Sequence, residues 1–158
     1  GLSGAALTIC LEASIASTKD GGYIDLDASG SYTYTEGGSS VTRNYRAERV
    51  ITDPLATSSG IVFFTAYKPY NDVCAFGGKT FIWAVKYDTG GAAGALLKGI
   101  ALLQVSTGSI EQLDLSSAFG DAGGRKTAAL EGVPPTAQGL SILSTPPAVK
   151  RVIHMRER

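Results

Sequence analysis

The chain predicts an all-β fold of short antiparallel strands joined by long loops, arranged like blades of an incomplete β-propeller. Three observations carry that expectation. Runs dense in β-branched and aromatic residues, each about strand length, recur between Gly, Ser and Asp turn signals. No stretch holds a sustained 3.6-residue apolar period, so little helix is expected. Charged residues make up only 18% of the 158 residues while glycine reaches 20, a balance that suits a β-rich extracellular protein better than a cytosolic helical one.

The N-terminal run from Leu2 to Leu11 is apolar but far shorter than the ~20 residues that span a bilayer. It has no basic leader, and the opening helix of a type IV pilin, a Phe-led apolar run with Glu at its fifth position, is absent. Gly4 and the β-branched pair Thr8-Ile9 favour a buried or interacting strand over a helix. With no Met at its start, the chain reads as a processed product or a piece of a longer protein. Tyr23 to Asp27 alternates, with Ile24 and Leu26 on one face, and Ser31 to Thr35 alternates again, with Tyr32 and Tyr34 together. These two segments predict a hairpin turning at Ala28 to Ser31, with Glu36 to Ser40 as a flexible loop.

The centre of the chain is Glu48 to Gly91. Ile61 to Tyr67 and Phe81 to Tyr87 are the two strongest strand signals, and Pro69 to Gly78 between them is too polar and glycine-rich for helix or strand. A hairpin with a long decorated loop follows, and loops on a rigid scaffold commonly carry binding. Lys98 to Ser106 predicts a third strand, and Ser109 to Leu115 a fourth with imperfect alternation. Phe119 to Thr127 reads as loop, Leu140 to Leu143 as a short apolar run between proline pairs, and Val149 to Glu157 as a basic terminal strand.

The ordered set Glu48-Arg-Val50, Asp53-Pro-Leu55, Gly60 to Thr65, Asp72, Cys74, Gly77-Gly78 and Trp83 to Gly91 resembles a segment of the C-terminal β-propeller domain of PilY-type proteins. These are large secreted factors associated with type IV pili and adhesion. The likeness continues through Lys98-Gly99, Gln104 to Gly108, Gly123 to Arg125, Pro134-Pro135 and the tail from Val149, about the last two thirds of the chain. Ala84 to Gly90 also resembles a strand-end pattern of quinoprotein-like blades. Ser31 to Arg46 departs from the PilY-type pattern as an insertion. The chain is expected to divide into an N-terminal strand plus Tyr-rich hairpin over 1–47 and a blade region over 48–158, in one continuous domain. A blade takes roughly 40 to 45 residues, so at most about three or four fit. An open arc leaves unpaired edges that invite association.

Candidate site residues are few. Asp25, Asp27, Ser29, Gly30 and Glu36 match the twelve-residue calcium-loop spacing, with oxygens at positions one, three, five and twelve and glycine at six. The competing reading is a plain hairpin turn with surface acids. The resemblance adds that PilY-type proteins carry a calcium-binding loop. Cys10 and Cys74 allow a disulfide closing a large loop, stabilising by roughly 4 kcal/mol in the chain-entropy model; two buried thiols and bridges to other chains are the alternatives. Tyr70, Asp72 and Phe76 are candidate contact residues, because aromatic anchors dominate interface hot spots; the competing reading places Trp83 and Tyr67 in the core, and it is the expectation for Trp83.

Formal net charge is zero, so no field for nucleic acid is implied. His154 is the sole histidine and sits among arginines, and neither a nucleophile elbow nor a phosphate loop occurs, so no enzymatic role and no redox cofactor are expected. The expected function is a non-catalytic, extracellular, pilus-associated module for biogenesis or adhesion. The alternatives are a filament subunit assembled by strand exchange through Leu2 to Leu11, and a calcium-regulated binding protein. Partners are pilus or filament proteins or further copies of the chain, and the chain is not expected to span a membrane.

Overall fold

The computed structural model describes residues 23–72, 76–94, 97–119 and 124–143, with the side chains of Tyr34 and Glu36 left out. Cys10, Cys74, the run from Leu2 to Leu11 and the tail from Val149 lie outside the described residues. Among the described residues, ten strands and one short helix follow in order: β1 (Gly30–Glu36), β2 (Ser39–Tyr45), β3 (Arg49–Val50), β4 (Leu55–Ala56), β5 (Ile61–Pro69), β6 (Gly78–Lys86), β7 (Ile100–Val105), β8 (Ile110–Asp114), α1 (Leu115–Ala118), β9 (Lys126–Gly132) and β10 (Pro135–Leu143). All pairings are antiparallel. The fold is all-β, and its sheets do not close into a barrel.

The predicted central hairpin is the spine. β5 and β6 pair without a bulge from Ile61 opposite Lys86 to Pro69 opposite Gly78. β3 and β4 pair with the outer edge of β5, and β9 with the outer edge of β6. β7 forms a second sheet between β10 and β8. Strand alternation splits β5 and β6 into two faces. Ile61, Phe63, Ile82 and Ala84 turn toward the second sheet and meet Ala101, Leu103, Leu115, Phe119 and Leu140 in one apolar core. The two sheets thus pack face to face, as neighbouring blades do in an incomplete propeller. The opposite face carries Phe64, Ala66, Trp83 and Val85.

The segment Tyr23–Asp27 is not a strand, contrary to the sequence expectation. Its alternation is nonetheless used, because Ile24 and Leu26 pack on Trp83, Val85 and their neighbours as a strap over the second face. The hairpin instead joins β1 to β2, in register from Gly30 opposite Tyr45 to Glu36 opposite Ser39. The expected flexible loop is a two-residue turn at Gly37 and Gly38, with φ of 58° and 83°. Positive φ at both central residues is what a primed hairpin turn requires, and glycine adopts it without strain. β9 corrects the reading of its first residues as loop, and β10 extends the expected Leu140–Leu143 run back to Pro135. A proline at a strand's first residue removes no ladder hydrogen bond. Among the described residues, no helix is long and apolar enough to cross a membrane.

Candidate contact surface at the end of the central hairpin

The loop leaving β5 is cross-linked at its base. The Tyr70 amide donates to the Gly77 carbonyl at 3.0 Å, which closes the loop on itself. The Asn71 amide donates to the Asn44 carbonyl at 2.8 Å and the Arg46 amide to the Pro69 carbonyl at 2.9 Å, which ties the loop to β2. Arg46 Nε adds a bond to Asn71 Oδ1 at 3.2 Å. Gly78 permits this closure: a Cβ there would meet the Lys68 carbonyl at 2.3 Å and Pro69 Cα at 2.7 Å.

Tyr70 is the fixed point. Its hydroxyl donates to Glu131 Oε1 at 2.6 Å. Its ring lies 5.4 Å from that of Tyr45, tilted by 49°, and the Arg43 guanidinium sits 4.8 Å from its centroid. Burial, then the hydrogen bond to Glu131 and that group's charge, push the Tyr70 hydroxyl well above the ordinary tyrosine range. Beside it, Thr42, Arg43 and Asn44 of β2 and Tyr70, Asn71 and Asp72 of the loop line an open groove of about 410 Å³. Phe76, next to the loop's closing glycine, is fully exposed. The structure therefore brings Tyr70 and Asp72 together in one groove and leaves Phe76 as an apolar ring in water on the same loop.

A second cluster lies on the strap face; of its members the sequence singled out Asp27, as a calcium ligand, but not Glu48 or Lys126. The Glu48 side chain is wholly buried. It accepts from Trp83 Nε1 at 2.9 Å, from the Asp27 amide at 3.0 Å and from Lys126 Nζ at 3.1 Å. The Glu48 amide returns a bond to the Asp27 carbonyl at 2.9 Å. Lys126 also pairs with the Asp27 carboxylate, and Lys68 reaches it at 3.2 Å. Burial pushes the Asp27 carboxyl up, but Lys126 and then Lys68 outweigh it and hold the group below its usual value. Lys126 Nζ lies 4.9 Å from the Phe81 centroid and 5.2 Å from that of Trp83, and Phe64 stacks on Trp83 at 5.7 Å. With most of a carboxylate's roughly four acceptor sites engaged, Glu48 is an anchor for the strap. Trp83 is buried in the sheet, as expected, whereas Tyr67 is half-buried, with its hydroxyl donating to the Gly132 carbonyl at 3.1 Å.

The calcium-template residues are arranged differently from a calcium loop. Asp25 and Ser29 are exposed, and Asp27 already faces two ammonium groups. Gly30 has no positive φ and opens β1, whose seven residues end at Glu36. Six strand steps at about 3.3 Å put roughly 20 Å between the Gly30 and Glu36 backbones, where the template needs the chain to curl round one centre. Among the described residues, no group of three or more His, Cys, Asp or Glu side chains could hold a metal ion.

The class of molecule defined so far is an antiparallel all-β module whose rigid central hairpin presents an aromatic loop. Comparison with protein-family models, curated proteins and solved structures finds no match to the chain.

Proposed function

We propose that the chain is a non-catalytic extracellular binding module, associated with type IV pili as its resemblance to PilY-type proteins implies. Its contact surface is the Tyr70–Phe76 side of the central hairpin. The observation that carries this reading is a fully exposed aromatic ring, Phe76, on a loop whose base is cross-linked to β2. An exposed aromatic ring removes a large apolar surface from water when it docks, and such rings dominate interface hot spots. The test is binding of the full chain to type IV pilus filaments sheared from a piliated bacterium. Phe76→Ala should weaken binding about tenfold or more with melting unchanged. Equal binding by both proteins would remove the loop from the interface, and no binding by either would remove the pilus partner.

A second reading, a filament subunit built by strand exchange, is favoured by β8. Among the described residues it pairs only with β7, and four of its five residues are exposed. An exposed edge strand is a template for an added strand. Light scattering and electron micrographs of the purified chain separate the two, because a stable monomer refutes the filament. If filaments form, they should disappear on deleting Gly1 to Leu11. No nucleic-acid partner is proposed.

A further inference from the structure

We propose that the groove between β2 and the Tyr70 loop binds a neutral saccharide of one or two rings, an inference that rests on the contact-surface reading and names its ligand class. The lining balances one cation, Arg43, against one anion, Asp72, so it offers no surplus charge for a phosphate or an amine. The other polar lining residues are Thr42, Asn44, Tyr70 and Asn71; the Thr42 hydroxyl is already bonded to that of Thr33, the Tyr70 hydroxyl to Glu131 and Asn71 Oδ1 to Arg46, which leaves the hydroxyl lone pairs and the amide N–H groups to meet a ligand. Amide, guanidinium and carboxylate groups each present two hydrogen-bonding atoms in a plane. That geometry matches adjacent hydroxyls on a sugar ring, which donate and accept at once.

The aromatic side chains supply the other half of such a site. Tyr70 forms one wall of the groove, and its ring is immobilised by Glu131, Tyr45 and Arg43. Phe76 is not part of the groove's lining, but it adds an exposed ring further along the same loop, of the kind that meets the apolar C–H face of a sugar. The groove's 410 Å³ lies at the small end of ligand pockets, which span about 300–1,000 Å³, and so admits a short saccharide. The frame is set before any ligand arrives, since Asn71 is held through its amide by Asn44 and through its Oδ1 by Arg46. That bond fixes the orientation of the side-chain amide and reduces the ordering cost of binding.

The experiment is saturation-transfer NMR of the full chain with glucose, galactose, mannose, fucose, N-acetylglucosamine, N-acetylgalactosamine, lactose and chitobiose. Inorganic phosphate and ethanolamine serve as charged controls. At least one neutral sugar should show transfer, with affinity weakened about tenfold or more in Asn71→Ala and in Asp72→Ala. Both variants should keep the native fluorescence of Trp83, which lies on the strap face. The proposal is overturned if no sugar in the panel shows transfer, if transfer is unchanged in both variants, or if phosphate or ethanolamine binds in place of the sugars. Pilus binding that persists and depends on Phe76 while every sugar fails would refute the saccharide alone. A sugar lost in Asn71→Ala with no pilus binding would refute only the pilus partner.

Discussion

Glu48→Ala should be among the most destabilising single changes in this chain. The substitution removes a wholly buried carboxylate and leaves three donors facing the gap. Removing one partner of a buried ion pair costs about 3–5 kcal/mol when the other is stranded. Lys126 is not fully stranded, because it keeps Asp27 and its side chain is 25% exposed. The Asp27 amide is only partly buried, but the indole N–H of Trp83 is buried and has no such recourse, and an unsatisfied buried donor costs about 1–3 kcal/mol. The expected loss is therefore about 3–4 kcal/mol, a large share of a typical domain's 5–15 kcal/mol. Glu48→Gln keeps one acceptor oxygen but turns an NH₂ toward a donor, so it should lose about 2 kcal/mol. Urea unfolding followed by fluorescence measures this directly, since Trp83 is the sole tryptophan and itself belongs to the network. A loss below about 1 kcal/mol for Glu48→Ala would show that the strap is held by Ile24 and Leu26 alone.

Three further outcomes follow from the same geometry. Asp27 has a depressed carboxyl, so its contribution is present above its ordinary value of 3.8 and is lost as pH falls below it toward the folded-state value. Asp27→Asn should flatten the acid limb of the melting curve and leave its slope near neutrality unchanged; an unaltered acid limb would count against the ion pairs. Gly78→Ala would place a methyl group against the backbone at Lys68 and Pro69, so it should cost about 2–3 kcal/mol as an overpacked site, and thermal melting unchanged from the parent would contradict the close approach. Tyr70, whose hydroxyl is pushed up, should ionise last in an alkaline absorbance titration. Its raised value adds stability that is lost as pH climbs past the ordinary tyrosine range near 10. Tyr70→Phe should delete that final step, and a step that survives would belong to another tyrosine.

What the sequence made legible was decided by local composition. β5, β6, β7 and β8 announce themselves by β-branched and aromatic runs between glycines, and those signals act within a few residues. β9, with Ala128, Ala129 and Gly132, and the first half of β10, with Gln138 and Gly139, lack that composition. They are strands because β6 and β7 each offer an edge that must be paired, a tertiary demand that overrides weak propensity. The strap failed in the opposite way: its alternation is real, but it serves side-chain packing without a ladder. At the candidate surface, Tyr70, Asp72 and Phe76 were visible as an aromatic loop between two strong strands. Glu48 was not visible as a buried anchor, since a single acid in a polar stretch ordinarily faces water. Its partners stand 21, 35 and 78 residues away in the chain, and no local pattern encodes contacts of that range.

The central sheet is buried on both faces by different chemistry, and this bears on how the loop can work. Against the second sheet the contacts are apolar and non-directional, so they supply stability without fixing a register. On the strap side the register is fixed by directional bonds. The reciprocal pair between Asp27 and Glu48 acts as a single rung, and the Trp83 indole sets where that rung can lie. A strap shifted by one residue would turn Ile24 and Leu26 away from the sheet and present their neighbours instead, Tyr23 and Asp25, both now exposed. The charged cluster therefore selects one placement among several that the apolar contacts would tolerate. The hairpin end gains rigidity from that choice through Lys68, which binds Asp27 one residue before the Pro69 that starts the loop base. A change that frees the strap should consequently loosen the Tyr70 groove as well. In Glu48→Ala, hydrogen exchange should quicken at the Arg46 and Asn71 amides along with that of Asp27. If only Asp27 quickens, the strap and the contact surface are mechanically independent.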